Sequence, residues 1–108
     1  MNIEIAPFEY EKKLSIDDAM LYCFTLNIDG KTGWRLPTLT ELKYITENNF
    51  MNSVHFGIFR NYSRFWSSEK HSLYFGCSWV IVLIDDANYI TSWDQDTDKQ
   101  FVLPVRDI

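Results

Sequence analysis

Apolar residues recur at helical spacing in the first half of this chain and at strand spacing in the second. Residues 3–10 alternate loosely (Ile3, Ile5, then Phe8 and Tyr10 after Pro7), which predicts a short N-terminal strand broken or bulged at the proline. Ser15 is placed to cap a helix, with Asp17 and Asp18 in its first turn, where carboxylates favour the helix dipole. That helix runs to about residue 27, and Ile16, Ala19, Met20, Cys23 and Leu26 outline its core face. A second helix, from residue 39 to about 48, shows Leu39, Leu42 and Ile45 at helical spacing and stops at Asn48-Asn49.

The stretch between them, residues 33–42, is over-determined by local chemistry. Asp29-Gly30 and Gly33 mark the loop that leads into it. Pro37 fixes its own φ and pushes Leu36 towards extended geometry, so no helix passes through. Thr38 then caps the second helix, and Glu41 three residues on completes a capping box. Trp34 carries a large apolar area into the core and needs a partner for its indole N–H. Arg35 either snorkels or forms a hydrogen-bonding fork to nearby carbonyls, a structural role that takes precedence over ligand binding.

Periodicity is lost over residues 50–64, where Phe50, Phe56, Phe59 and Tyr62 indicate a long loop held by rings. Strand signals follow. Residues 65–69 form a short extended segment, and residues 77–84 are apolar on both parities, which predicts a central strand buried on both faces. A turn at residues 85–88, with Asp86 or Asn88 able to take positive φ, leads to strands at 88–93 and 101–106. Pro104 places the last strand at an edge or bulges it. Helices first and strands after make an α+β domain with two helices packed on a twisted antiparallel sheet.

The 108 residues amount to one domain, and with 46% hydrophobic and 17% aromatic residues they have material for a packed core, which excludes disorder. The net charge is −5, and residues 85–108 contribute −4 of it, leaving nine acids and eight bases before them. That balance argues against binding nucleic acid through its phosphates. The longest apolar run, residues 79–84, is too short to span a bilayer. The first residues lack the basic flank and apolar run of a signal peptide, so a cytoplasmic location is expected, or a secreted or surface one if a leader was removed. Cys23 and Cys77 lie far apart in no CxxC motif and read as two buried free thiols with no metal or redox work, a disulfide between them staying open only if a leader was removed.

Candidate chemistry is sparse. Asp94-Gln95-Asp96-Thr97-Asp98 has the alternating carboxylates of a calcium loop, but Lys99 and Val105 stand where that template asks for glycine and glutamate. A solvated acidic hairpin tip is the expectation there, and no metal is assigned. The two histidines, His55 and His71, are not near a cysteine in sequence, and Ser67-Ser68 with His71 lacks the strand–turn–helix elbow of a serine nucleophile. Single scattered glycines make no phosphate loop. The expectation is therefore a protein that is not an enzyme and carries no cofactor.

Surface recognition remains. Residues 60–64 and 70–75 mix Arg, Tyr, His and Phe in loops, the composition of contact patches. Arg60, Tyr62, Arg64, His71 and Tyr74 are the expected partner-binding residues, joined by Asp94, Asp96 and Asp98 at the acidic tip. Phe59, Phe65 and Phe75 read as rings that fold inward and pin the loops.

The chain resembles the Lcl C-terminal-like domain family, the C-terminal domain of bacterial collagen-like adhesins. The resemblance is carried by Asp18-Ala19 with Tyr22-Cys23, by Gly33-Trp34-Arg35-Leu36-Pro37-Thr38 with Glu41-Leu42, by Phe65-Trp66-Ser67-Ser68, by Ser78-Trp79-Val80-Ile81 and by Val102-Leu103-Pro104-Val105-Arg106, in the family's order. It implies a fold similar to C-type lectins and to the sulfatase-modifying factors. A helix cysteine paired with one before the final Val-Arg is implied by the family, but Leu103-Pro104 stands in that second place here. Neither the catalytic cysteines of the formylglycine-generating relatives nor the Glu-Pro-Asn and Trp-Asn-Asp elements of sugar-binding lectins are present. The expected function is a non-catalytic binding module for a protein partner, such as a phage or mobile-element inhibitor of a host protein. The alternative is a glycan-binding module of a bacterial surface or fimbrial protein. A free last strand would also permit a homodimer. Nucleic acid and membrane are not expected partners.

Overall fold

The computed structural model describes residues 2–48, 63–84 and 88–108. The elements are β1 (Ile3–Ile5), a 3₁₀ turn (Phe8–Tyr10), β2 (Lys12–Leu14), α1 (Ile16–Thr25), α2 (Leu39–Glu47), β3 (Arg64–Lys70), β4 (Cys77–Leu83), β5 (Tyr89–Gln95), β6 (Gln100–Val102) and β7 (Val105–Asp107). The class is α+β, as expected. The turn expected at residues 85–88 and the loop at 50–64 lie largely outside the described residues.

Helix boundaries follow their local chemistry. The Ser15 side chain makes no capping bond, and α1 starts where the Ile16 N–H donates to the Asp96 carbonyl at 3.1 Å. It ends because Leu26 turns extended (ψ 131°) with its N–H on the Cys23 carbonyl. Asp29 (φ 52°) and Gly30 (φ 84°) then close a tight turn between Ile28 and Lys31, whose backbones exchange both hydrogen bonds. The capping box of α2 is present in full: Thr38 Oγ1 accepts the Glu41 N–H at 3.1 Å, and Glu41 Oε1 accepts the Thr38 N–H at 2.8 Å.

The strands form a five-stranded sheet in the order β2-β6-β3-β4-β5 and a separate pair, β1-β7. The larger sheet is mixed, which corrects the expected antiparallel one. β6 does not fold back on β5; it crosses to the free edge of β3 and runs parallel to it, with Phe101 opposite Phe65 and their rings 5.5 Å apart. The stretch expected as one last strand is split at Leu103-Pro104. Pro104 has no N–H to donate, and its carbonyl accepts the Ala6 N–H at 3.0 Å. β7 therefore leaves the main sheet and lies between β1 and Arg35, whose backbone exchanges hydrogen bonds of 2.7 and 2.9 Å with Val105. β2 was not anticipated: Lys12-Lys13-Leu14 has little strand character, and pairing with β6 holds it extended.

Strand alternation sends the two halves of the core to opposite faces. Trp66, Val80 and Val82 pack with Ile16, Ala19 and Cys23 of α1 and with Trp34 and Leu36. Phe65, Ile81 and Leu83 pack with Leu42 and Ile45 of α2 and with Leu103 and Val105. Trp66 is fully buried, and its indole N–H donates to the Leu14 carbonyl at 2.8 Å. β4 is buried on both faces only from Val80 to Leu83; Cys77 and Trp79 at its start are half-buried, which narrows the expectation. No helix among the described residues is long and apolar enough to cross a membrane.

Candidate functional site

The segment over residues 33–42 is committed to the fold. Arg35 donates to both oxygens of Glu41 at 2.7 and 2.8 Å, to Asp107 at 2.8 Å and to the Leu36 carbonyl at 3.2 Å. Its fork thus reaches carboxylates as well as the expected carbonyl. Hydrogen bonds from Arg35 hold the Glu41 carboxyl below the usual glutamate range, against the burial that raises it. The Trp34 indole N–H finds the Lys31 carbonyl at 3.0 Å, and the Arg106 guanidinium lies 5.8 Å from the Trp34 ring centroid.

The β3–β4 connection builds a different kind of surface. Gly76 (φ 79°) permits the turn, and the His71 N–H donates to the Cys77 carbonyl at 2.9 Å. His71 Nδ1 accepts from the Leu73 and Tyr74 amides at 3.0 and 3.2 Å, so the imidazole organises the hairpin tip. The ring stacks on Trp79 at 4.7 Å and touches Tyr74 and Trp93, each at 4.8 Å. Tyr74 and Trp93 stack at 5.3 Å and 19°, and Trp79 meets Trp93 edge-on across the β4–β5 pair.

On this sheet face, the pair Leu83–Tyr89 lies under α2, where the Tyr89 hydroxyl donates to Glu47 at 2.6 Å. The pair Trp79–Trp93 lies two steps further along the same face. Tyr74 (52% exposed) and Trp93 (42%) keep large areas in water, and Leu73 and Phe75 at the tip are more exposed still. A concavity of about 520 Å³ opens beside them, lined by Leu73, Tyr74, Phe75, Cys77, Trp93, Asp94, Gln95 and Asp98.

The expected contact residues therefore divide. His71 and Tyr74 come together in the ring cluster. Arg64 pairs with Asp94 at 2.9 Å and keeps 38% of its side chain in water. Asp96 accepts from Lys70 at 2.7 Å and Ser78 at 2.6 Å; burial raises its carboxyl, but these two donors bring it below the usual range. The Asp94–Asp98 stretch is thus tied down at its first two carboxylates, while Asp98 stands in solvent. Arg60 and Tyr62 lie outside the described residues, as do Phe59 and His55. Phe65 is buried as expected, whereas Phe75 is fully exposed, because the turn at Gly76 holds it at the hairpin tip away from any core.

Two groups escaped the sequence reading. The sequence marks Trp79 and Trp93 only as strand residues; their shared parity across a β-pair is the available signal, and it takes the register to bring them opposite each other. Met20, assigned to the α1 core face, is half-exposed and continues with Leu21 and Phe24 as an apolar stripe. The physical reason is that α1 is apolar on most of its circumference, so spacing could not separate core from surface. Met20, Phe24, Trp34 and Leu36 border a second, smaller groove.

Among the described residues, the serine and cysteines considered as nucleophiles have structural surroundings. Ser67 donates to the Trp79 carbonyl at 2.7 Å and accepts the Glu69 amide at 3.1 Å, so it is a buried structural hydroxyl. Burial pushes the Cys23 thiol up to about 12, and Cys23 and Cys77 are not joined. Among the described residues, no three His, Cys, Asp or Glu side chains gather in a metal-binding group.

The family model described as the Lcl C-terminal domain matches residues 4–106. No curated protein matches the chain.

Proposed function

The chain belongs to the Lcl C-terminal domain family, which points to an adhesin-like binding module, and from that premise we propose that it is non-catalytic and engages a protein partner through the aromatic end of the β3–β4 hairpin. The observation that carries this is the exposure of a built ring cluster. His71 orders the tip by accepting two backbone amides, yet Leu73 and Phe75 remain 82% and fully exposed, and Tyr74 and Trp93 present stacked rings to solvent. Aromatic residues held rigidly and left in water are the usual anchors of protein interfaces. The terminal β1–β7 pair and the two helices against a central sheet support reading the architecture as C-type-lectin-like.

A glycan is the second reading. It is favoured by Tyr74 and Trp93 lying beside the hydrogen-bonding groups of Gln95 and Asp98, the pairing of ring face and polar edge that a pyranose fits.

Capture from a lysate of the source organism or its host tests the choice. The wild-type protein retains one stoichiometric protein, and the double variant Tyr74→Ala/Trp93→Ala loses it while keeping the wild-type circular dichroism. Capture unchanged by the double variant overturns the patch. An empty lane, with binding on a glycan array that the same variant abolishes, transfers the function to sugar recognition.

A further inference from the structure

The concavity at the ring cluster has a one-sided charge character. Asp94 and Asp98 line it, and among the described residues no lysine or arginine does. Asp94 shares Oδ1 with Arg64, while its Oδ2 is buried with no hydrogen-bond donor. Asp98 is exposed, and none of the described residues donates to its carboxylate. Among the described residues Arg64 offsets Asp94 and no donor meets Asp98, which leaves Asp98 as the charge at the rim. In the same lining as the Asp98 carboxylate stand Tyr74, Phe75 and Trp93, whose ring faces attract cations within about 6 Å of their centroids.

We propose that this concavity receives a cationic side chain, arginine in preference to lysine, presented by a basic segment of the protein partner. The inference rests on the protein-binding reading above and names the chemistry of that partner. Three observations converge on it. The rings at Tyr74 and Trp93 are nearly parallel (19°), so their outer faces offer a flat platform to a planar guanidinium. The carboxylate of Asp98 stands within the same lining, where a guanidinium stacked on a ring can also fork to it. The volume, about 520 Å³, is ample for one long side chain with its flanking backbone, and apolar Leu73 and Phe75 suit those flanks. The charge of the chain agrees: −5 overall, with most of it in the segment that supplies Asp94 and Asp98.

The test is a titration of the intact protein, labelled with nitrogen-15 at its tryptophan indoles, with a capped peptide of alternating glycine and arginine. The matched citrulline peptide, which keeps the shape and loses the charge, and a neutral oligosaccharide are run beside it. The expected result is a saturable shift of the Trp93 indole signal (assigned with Trp93→Phe) by the arginine peptide alone. Asp98→Asn, a surface change that leaves the fold intact, weakens that binding about threefold, the scale of one exposed ion pair, and raising the salt weakens it further. Equal shifts with the citrulline peptide, a shift with the sugar alone, or no shift with any probe overturns the proposal. The two readings fail differently. If Tyr74→Ala/Trp93→Ala abolishes partner capture while Asp98→Asn and added salt leave it unchanged, the cation site falls and the protein-binding patch stands. Capture that survives the double variant overturns both.

Discussion

Arg35 and Glu41 meet as a parallel fork, Nη1 to Oε1 at 2.7 Å and Nη2 to Oε2 at 2.8 Å, and the same Oε1 caps the Thr38 N–H. One carboxylate therefore joins the entry to α2 with the guanidinium, which in turn reaches Asp107 beyond the end of the core. The Arg35 backbone is meanwhile paired with Val105. Two segments distant in sequence, residues 35–41 and β7, converge on one residue.

Removing that residue should cost more than a surface ion pair. Glu41 is nearly buried, but about a third (34%) of the Arg35 side chain stays in water. The loss in Arg35→Ala is accordingly placed below that of a fully buried pair, at about 2–3 kcal/mol. Arg35→Lys keeps the charge but loses the fork, and should recover less than half of that stability. Urea unfolding of the variants measures both.

Acid should weaken the same junction. The Glu41 carboxyl is held low by Arg35, so it binds its proton more readily in the unfolded chain than in the folded one. Its contribution is complete above the ordinary glutamate range and is lost as pH falls through the lowered folded value. Glu41→Gln should be less stable than wild type at neutral pH, and the gap should narrow on acidification below about pH 4, near the unperturbed glutamate value. A gap independent of pH would show that Arg35 does not act through the charge.

The two helix starts predict opposite outcomes for similar changes. Thr38→Ala deletes a hydroxyl that accepts the Glu41 amide and should cost about 1 kcal/mol. Ser15→Ala deletes one that makes no cap bond and should stay within about 0.5 kcal/mol of wild type. Melting temperatures of the two variants, measured side by side, check the contrast.

The cysteines should separate by rate. Cys23 is buried in the α1 core, its thiol raised to about 12, while Cys77 is half-buried and lines the aromatic concavity. Brief treatment of the native protein with N-ethylmaleimide, followed by mass spectrometry, should find Cys77 modified first and Cys23 only on unfolding. Fast modification of Cys23 would contradict its burial.

Local chemistry was enough to predict several parts of this protein. Pro37, Thr38 and Glu41 act within a few residues of one another, and their result, a capped α2 after an extended Leu36, is what the residues imply by themselves. Asp29-Gly30 likewise turns where positive φ is tolerated. The family, too, was legible in the Trp-Arg-Leu-Pro-Thr segment and the motifs after it. Tertiary structure decided the rest, because it depends on which distant segments meet. Lys12-Lys13-Leu14 becomes a strand only because β6 pairs with it, and β6 runs parallel to β3 only because the chain crosses to that free edge. The ring cluster has the same origin. His71, Tyr74, Trp79 and Trp93 come from two strands and a turn, and the β4–β5 register, which no local preference contains, sets Trp79 opposite Trp93 on a stretch of sheet beyond the pair that α2 covers.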